Sequence, residues 1–198
     1  MLERLAGGRH HDPHALLGPH ALGATTRLLA YLPAVQTVQL EDGRALQRLG
    51  DTDFFWLDSP SGTLPVHPGF VWHRADGRVE RRIDPYSFAP SVAASDLQLF
   101  GSGGHAEAWK LLGAHAACFD GIYGVRFAVW APNACRVSVV GPFCDWDGRR
   151  LPMRVLGQSG IWELFVPGLA AGELYKFELR NRDSGEVLLK TDPYARAM

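Results

Sequence analysis

The amino-acid sequence predicts a mainly β fold made of two tandem β-sandwiches with short helical turns. Three observations support this prediction: a phrase near the N-terminus recurs in the middle of the chain, apolar and polar residues alternate at period two, and turn residues follow at short intervals. The chain has 198 residues, enough for two domains of about 100 residues each. A hydrophobic fraction of 46% allows each domain to bury a core.

An internal repeat divides the sequence into two halves. Residues 14–20 read HALLGPH and residues 109–115 read WKLLGAH, with the same Leu-Leu-Gly-x-His order. Each half closes on the tripeptide Asp-Pro-Tyr, at 84–86 and at 192–194. The two halves show these phrases in the same order, which indicates that the chain contains two copies of one module. The matched positions between these points are Arg27 and Arg126, Tyr31 and Trp130, Pro33 and Pro132, Val38 and Val137, Leu40 and Val139, Phe55 and Trp162, Leu57 and Leu164, and Pro60 and Pro167.

The second copy shows most clearly that the module is made of strands. Residues 126–130 alternate between two faces, and Pro132-Asn133 separates them from a second alternating run at 136–140. Residues 160–168 alternate again and end on a Pro-Gly turn. Short strands with turn signals at this spacing predict an immunoglobulin-like sandwich for each half.

Helix is a minor part of the prediction. Asp12-Pro13 is typical of a capped helix start, and Gly18 ends that short turn. A matching helical turn precedes the second module at 105–113. The glycine-rich segment 100–105, FGSGGH, is the predicted linker. The predicted domains are residues 1–98 and residues 99–198.

Composition and charge exclude several classes of protein. The formal net charge of −1 provides no basic footprint for nucleic acid or an anionic membrane. Three cysteines without C-x-x-C spacing indicate neither a zinc site nor a disulfide framework, and they favour a reducing compartment. The first residues lack the apolar core of a signal peptide, and no run approaches the roughly 20 apolar residues of a membrane helix. We therefore expect a cytoplasmic protein without a nucleic-acid or membrane partner.

Motifs for catalysis and metal binding are not found in the sequence. It contains no nucleophile elbow, no phosphate-binding loop and no paired-histidine zinc motif. Several histidines lie between residues 10 and 20, but consecutive side chains point apart, which does not favour a metal site. Asp145 and Asp147 could be taken for the carboxylate pair of glycoside chemistry, but aspartates before a glycine are typical of turns. We expect no catalytic residue, no cofactor and no metal.

Tryptophan is abundant, with six residues, and one of them has a distinct setting. Trp56, Trp72, Trp130 and Trp162 fall in strand patterns, which predicts that they pack in the cores. Trp146 lies instead in the polar segment PFCDWDGRRLP, where no alternation predicts burial. An indole on a loop can stack on the apolar face of a sugar ring, so this position indicates binding. The alternative is that Trp146 folds inward and closes the edge of the sandwich.

The longer phrases of the sequence resemble a known family. RFAVWAPNACRVSVVGPFCDWDGRRLPMR, SGIWELFVPG and LYKFEL are similar to the family 48 carbohydrate-binding module, the second N-terminal domain of bacterial 1,4-α-glucan (glycogen) branching enzymes. HHDPHALLGPH and IDPYSFAP resemble the first N-terminal domain of the same enzymes, a degenerate copy of that module. The resemblance covers essentially the whole chain. It implies α-1,4-glucan or glycogen as the partner and glycogen biosynthesis as the process.

The same resemblance implies that the reaction itself takes place elsewhere. Branching enzymes carry their catalytic carboxylates in a (β/α)8 barrel that follows these two domains, and this sequence contains no catalytic barrel. The enzymes cleave an α-1,4 bond and transfer the glucan segment to a 6-hydroxyl, so the parent protein would be a glycosyltransferase. This chain alone is expected to be inactive. Two other hypotheses are a stand-alone, non-catalytic glucan-binding or regulatory module, and a cell-surface adhesion protein, which the lack of a signal sequence and of paired cysteines disfavours.

Two residues match positions at which related starch- and glycogen-binding modules contact their ligand. Trp146 closes the F-x-x-W motif that begins at Phe143, and Lys176 is the centre of the Y-K-F motif at 175–177. The resemblance implies that the indole stacks on a glucose ring while the ammonium donates to hydroxyls. The corresponding segment of the first module, 41–48, has no tryptophan, so we expect no sugar site there.

Overall fold

The computed structural model describes residues 1–74 and 76–195, and it divides the chain into two compact units. The first unit comprises Pro13–Phe88. The second unit contains Glu3–Asp12 and the chain from Ala89 onward. An N-terminal segment is therefore grouped with residues that lie far from it in sequence.

The boundary between these units differs from the predicted division at residues 98 and 99. The first unit ends at Phe88, and Ala89 onward belongs to the second unit. The ranges 1–98 and 99–198 stay a prediction about domains, and residues 75 and 196–198 of those ranges lie outside the described part of the chain.

The described residues of the first unit form seven strands in two antiparallel sheets. One sheet has the order β1-β2-β5-β4 and the other has the order β3-β6-β7. Leu28 and Phe55 from the first sheet pack in one core with Phe70 and Trp72 from the second, which is the arrangement of a sandwich. The strands are β1 (Gly18–Leu22), β2 (Thr25–Tyr31), β3 (Val35–Leu40), β4 (Gln47–Arg48), β5 (Phe54–Pro60), β6 (Gly69–Arg74) and β7 (Val79–Ile83).

The second unit repeats this plan strand for strand. Its sheets have the orders β8-β9-β12-β11 and β10-β13-β14, and all pairs are antiparallel. The prediction of a mainly β chain with two tandem sandwiches is confirmed. The strands are β8 (Gly113–Phe119), β9 (Ile122–Trp130), β10 (Ala134–Val140), β11 (Arg154–Val155), β12 (Ile161–Pro167), β13 (Lys176–Asn181) and β14 (Val187–Lys190).

The helices are short, as predicted. The described residues contain three α-helices, and none of them is long and apolar enough to cross a membrane. A 3-10 helix begins at Pro13, as predicted, but the buried Oδ1 of Asp12 has no hydrogen-bond partner among the described residues. The α-helices are α1 (Leu2–Ala6), α2 (Ala94–Gly101) and α3 (Ala108–Leu111), and 3-10 helices span Pro13–Ala15, Pro85–Ser87 and Pro142–Cys144.

The predicted linker at 100–105 does not connect the two units. It lies inside the second unit, where its first two residues end α2 and the remaining four continue toward α3. Leu97 and Phe100 of α2 pack against a core cluster that includes Leu112 and Ile161. The prediction was wrong because glycine content reports local flexibility, whereas burial of these apolar side chains decides to which unit the segment belongs.

The repeated Leu-Leu-Gly-x-His phrase forms the same strand start in both units. Gly18 and Gly113 begin β1 and β8 with φ of +90° and +100°, a region that favours glycine. Two residues later, the ring of His20 donates from Nε2 to the Leu17 carbonyl at 3.0 Å. His115 makes the corresponding bond to the Leu112 carbonyl at 2.9 Å. The repeated phrase therefore has the same conformation in both units.

The repeated Asp-Pro-Tyr tripeptide completes that strand start. The side chain of Asp84 accepts from the Tyr86 N–H at 3.0 Å, and Asp192 accepts from the Tyr194 N–H at 2.9 Å. A Cβ added to Gly18 would lie 2.7 Å from the Tyr86 carbonyl oxygen, and one added to Gly113 would lie 3.2 Å from the Tyr194 Cβ. The two ends of each module therefore lie against each other, which explains why both phrases recur.

Candidate binding site

Trp146 lies on a tight loop, 141–148, that follows β10. Pro142–Cys144 form a 3-10 turn, and the Gly141 carbonyl accepts from the N–H groups of Cys144 at 3.1 Å and Trp146 at 2.9 Å. Trp146 has a φ of +58°, which is uncommon for a bulky residue and marks a special conformation. The residue is 44% exposed, so it is not part of the core as the inward-folding alternative would require.

The loop is held at both ends by the sheet beside it. A side chain at Gly141 would collide with the Leu174 carbonyl and the Phe143 ring, so the backbone approaches closely there. At the other end, the Gly148 carbonyl accepts from Arg136 Nη1 at 2.8 Å. Arg136 is buried and also forms an ion pair with Glu178 on β13. These contacts fix the backbone that carries the indole, which is a requirement for a preformed binding surface.

The two aspartates beside Trp146 form local turn contacts. Asp147 accepts from the Arg149 N–H at 2.9 Å and from Arg149 Nη2 at 2.7 Å. Burial by itself raises the pKa of Asp147, but the hydrogen bonds from Arg149 outweigh it and the pKa is lowered. Asp145 forms an ion pair with Arg150 at 2.8 Å. This agrees with the prediction that Asp145 and Asp147 are turn-forming residues.

Lys176 is the first residue of β13, and its backbone pairs with Val140, the residue immediately before the loop. Side chains alternate along a strand, so Lys176 shares a face with Glu178, while the buried Phe177 points into the core. Glu178 lies against Gly148 of the loop. The register therefore brings Lys176 and the Trp146 loop to the same edge of the second sandwich.

The aromatic residues around Lys176 support the sheet. Phe127 contacts Phe143 at a ring distance of 6.2 Å and Tyr175 at 5.0 Å. The Tyr175 hydroxyl donates to Asp192 Oδ2. Burial and this hydrogen bond raise the pKa of Tyr175, so its hydroxyl stays a donor at neutral pH. In the Y-K-F motif the outer two residues are structural, and Lys176 alone is available to a ligand.

Of the four tryptophans predicted to pack in the cores, two are buried there and two, Trp56 and Trp130, are not. Trp72 and Trp162 are buried, as predicted, and Trp56 is half-buried. Trp130 is 53% exposed, so the prediction that it packs in the core was wrong. It is the last residue of β9, where the strand leaves the sheet and alternation no longer reports burial. Trp109 on α3 is also exposed, and no pattern in the sequence singled it out.

The corresponding segment of the first unit has a different chemistry. Residues 41–48 hold a turn in which Asp42 accepts from Arg44 Nη2 at 2.6 Å, and they end in β4. No aromatic side chain occurs in this segment. Its surface therefore offers no ring on which a sugar could stack.

Metal ligands do not converge in the described part of the chain. No group of three or more His, Cys, Asp or Glu side chains is placed to hold a metal ion among the residues that the structure describes. His10 and His11 stack on each other with ring centroids 5.5 Å apart. Burial, followed by the charges of His11 and Arg4, lowers the pKa of His10.

Comparison with protein families assigns the two halves separately. Residues 1–86 match the family described as alpha-1,4-glucan branching enzyme GlgB, N-terminal domain. Residues 111–195 match Carbohydrate-binding module 48 (Isoamylase N-terminal domain). The two matches follow in the order that the repeated modules have in this chain.

Comparison with curated proteins finds relatives that match this chain over nearly its whole length. The chain is 50% identical over 200 residues to 1,4-alpha-glucan branching enzyme GlgB of Thiobacillus denitrificans, covering 100% of this chain and 27% of that protein. It is 47% identical to the GlgB of Cellvibrio japonicus, covering 99% of this chain and 28% of that protein. The chain thus spans little more than a quarter of these relatives. A pullulanase from Anoxybacillus sp. LM18-11 is 16% identical at a TM-score of 0.35, over 91% of this chain and 26% of the pullulanase chain, too low to support an argument.

Proposed function

We propose that this chain, which comprises the N-terminal domain and the carbohydrate-binding module 48 of a GlgB-type 1,4-alpha-glucan branching enzyme, binds linear α-1,4-glucan or glycogen at the Trp146 loop. Binding there would position the glucan for a catalytic domain in the longer protein. The observation that carries the proposal is the exposed indole of Trp146 on a loop fixed at both ends, which follows the strand residue that pairs with Lys176.

The physical basis is the complementarity between these groups and a glucose ring. A pyranose has an apolar face that an indole can cover, and a rim of hydroxyls that an ammonium can donate to. Because the Trp146 N–H donates to the Gly141 carbonyl and the Arg136 side chain donates to the Gly148 carbonyl, the loop loses little conformational entropy on binding. The contact is small, so we expect weak binding that the length of the glucan and the longer protein would reinforce.

The reaction of the longer protein is outside what this chain can perform. We propose that the parent protein branches 1,4-alpha-glucan, as the names of the relatives indicate. We further propose that it does so by transfer of glucan segments to 6-hydroxyls and that it acts in the cytoplasm. Glycosyl transfer of this kind needs a nucleophile and an acid/base pair held across a sugar-sized cleft. The carboxylates beside Trp146 are occupied by Arg149 and Arg150, so the 198-residue chain is expected to bind glucan without cleaving it.

A titration of maltoheptaose against the chain and a Trp146→Ala variant tests the site. Loss of the stacking contact, on the order of 1–2 kcal/mol, should weaken binding about tenfold. Trp109→Ala is a matched control, because Trp109 is equally exposed but lies on α3, and its affinity should be unchanged. Thermal melts of both variants should stay close to that of the unchanged chain. Unaltered affinity with a lowered melting temperature in Trp146→Ala would contradict the proposal.

A further inference from the structure

The second unit also has a cavity, which lies apart from the Trp146 loop. It encloses about 510 Å³ and is formed by the N-terminal segment together with the ends of β10, β11 and β12. A cavity of this volume falls in the range of small-molecule sites. The residues of the N-terminal segment that line it are Arg4, Arg9 and His11, and Arg182 and Gln158 line it from the sheet side.

The charged side chains that line this cavity are positive. Three of its lining side chains are arginines, and none of its lining residues in the described part of the chain is acidic. Elsewhere, arginines such as Arg27, Arg44 and Arg149 form ion pairs with aspartates at 2.6–2.7 Å. Several cations that share a cavity without a carboxylate repel one another, and a bound anion relieves that repulsion.

The cavity is also fixed by backbone contacts. Val155 of β11 donates its N–H to the His11 carbonyl at 2.9 Å, which holds the N-terminal segment against the sheet. Arg182 Nη2 donates to the carbonyls of Pro132 at 3.3 Å and Ala134 at 3.4 Å. These bonds place the Arg182 guanidinium at the wall of the cavity without neutralising its charge.

The charged residues of the N-terminal segment also act on a neighbouring histidine. The pKa of His10, next to the cavity, is lowered first by burial and then by the charges of His11 and Arg4, against an opposing effect of Asp12. Arg9 makes no side-chain hydrogen bond within the described part of the chain, so its five donors are available. A guanidinium group can donate two hydrogen bonds to two oxygens of one phosphate group. A neutral sugar has no charged group that could accept hydrogen bonds in this way.

We propose that this cavity binds a small phosphate monoester, with the phosphate held by Arg4, Arg9 and Arg182. The cavity is larger than a phosphate ion, and Gln158 with the backbone at Gly157 and Gly160 provides polar partners for a carrier that bears hydroxyls. The ligand class is therefore a sugar phosphate or a mononucleotide. Such a site would give the glucan-binding region a second ligand that differs from glucan in charge.

Isothermal titration of the 198-residue chain at low salt tests the proposal. The probes are glucose 6-phosphate and AMP, which distinguish the two carriers, with inorganic phosphate and unphosphorylated glucose as references. At least one of the two monoesters should bind more tightly than inorganic phosphate, and glucose should not bind at this site. Binding should weaken as sodium chloride is raised, because the attraction is between charges.

Variants connect that binding to the cavity. Arg9→Gln should weaken it about tenfold, since one charged hydrogen-bonding group is removed. Arg27→Gln removes an arginine of the first unit that pairs with Asp58, and it should leave the affinity unchanged. Thermal melts verify that both variants are folded. Absence of binding by both monoesters, or equal affinity of Arg9→Gln and the unchanged chain, would overturn the proposal.

Discussion

The two units of this chain have the same scaffold but different loops. Both place seven strands in the same order and start from the same Gly-x-His junction. In the first unit, a short turn at 41–46 leads from β3 to β4, and Asp42 closes it on Arg44. In the second unit, the longer segment 141–153 leads from β10 to β11 and carries Trp146. The comparison indicates that the sandwich supplies stability and that binding chemistry is added in a loop.

The units also differ in how they bury the aspartate of the repeated tripeptide. In the second unit the Tyr175 hydroxyl donates to Asp192 Oδ2. In the first unit the residue that precedes β6 is Pro68, which has no hydroxyl to offer. The buried Asp84 Oδ2 has no hydrogen-bond partner among the described residues, and burial raises the pKa of Asp84 to about 7. The two aspartates therefore differ at one oxygen, since Oδ2 of Asp192 accepts a hydrogen bond and Oδ2 of Asp84 accepts none within the described part of the chain.

The largest expected effect concerns a buried ion pair of the second unit. Glu163 on β12 is fully buried and accepts from Arg154 Nη2 at 3.1 Å and from the N–H groups of Ser91 and Val92 at 3.0 and 3.1 Å. Glu163→Ala leaves Arg154 charged and buried without this partner. We expect a loss of about 3–5 kcal/mol in the free energy of unfolding of the second unit, measured by urea denaturation.

A double variant provides the control for that loss. Replacing Arg154 by Met together with Glu163→Gln removes the uncompensated charge and should recover a large part of the stability. In the first unit, Trp56 occupies the position that corresponds to Glu163 and lies 5.1 Å from the guanidinium of Arg27. Hydrogen exchange in first-unit peptides should therefore be unchanged. An equal loss in both units would show that they do not unfold separately.

The second effect is a dependence of the first unit's stability on pH. Asp84 has a pKa near 7 in the folded state, compared with about 3.9 in an unfolded chain, so the folded state binds the proton more tightly. Stability is then highest below pH 4 with respect to this group, and it falls as the pH rises through 7. The total change is on the order of 4 kcal/mol.

Asp84→Asn removes this dependence without removing the turn. The amide oxygen of asparagine can still accept from the Tyr86 N–H, which the Asp84 carboxylate accepts at 3.0 Å. We expect hydrogen exchange of first-unit peptides to accelerate between pH 5 and pH 8, after correction for the intrinsic rate, in the unchanged chain and not in the variant. Asp42→Asn, at an exposed aspartate of the same unit, should retain the acceleration. Retention of it in Asp84→Asn would contradict the assignment.

The third effect compares the two strand starts directly. Gly18→Ala and Gly113→Ala both place a Cβ at positive φ, which costs about 1–2 kcal/mol. At Gly18 the new Cβ would also lie 2.7 Å from the backbone oxygen of Tyr86, whereas at Gly113 the nearest atom is a side-chain Cβ at 3.2 Å. Gly18→Ala should therefore lower the melting temperature of its unit more than Gly113→Ala does. The reverse order would mean that the Tyr86 backbone moves freely.

Local patterns explain how far the sequence could predict this structure. The repeat and the period-two alternation predicted the strands and both sandwiches, because these features depend on neighbouring residues. The grouping of Glu3–Asp12 with the second unit depends on contacts distant in sequence, such as that of His11 with Val155. The same is true of the 100–105 segment. The predicted burial of Trp130 was wrong for another reason, because alternation does not predict burial at the last residue of a strand.

The candidate site was predictable in its residue types but not in its geometry. The polar setting of Trp146 indicated an exposed indole, and the structure places it 44% exposed. The role of Arg136, buried beneath the loop, had no signal in the sequence, because an arginine within a strand pattern is usually on a solvated face. Likewise, the cationic cavity joins residues 4, 9 and 182, and no motif connects these positions.

The smallest expected effect concerns the polar half of the candidate site. Lys176 and the first residue of β6, Gly69, occupy corresponding positions, so the first unit lacks the ammonium as well as the indole. Because Lys176 is partly exposed to water, its hydrogen bond to a glucan hydroxyl contributes little net free energy, and Lys176→Ala should weaken maltoheptaose binding about threefold. Lys190→Ala, on the edge strand β14, removes an exposed lysine of the same sheet and should leave the affinity unchanged. A threefold change could come from a lost hydrogen bond or from a long-range effect of the lost charge. Calorimetric titration at two salt concentrations distinguishes them. A hydrogen bond to a neutral sugar persists when salt is raised, whereas a long-range effect of charge does not. Equal loss in Lys176→Ala and Lys190→Ala would remove Lys176 from the site and leave Trp146 as the residue that distinguishes the two units.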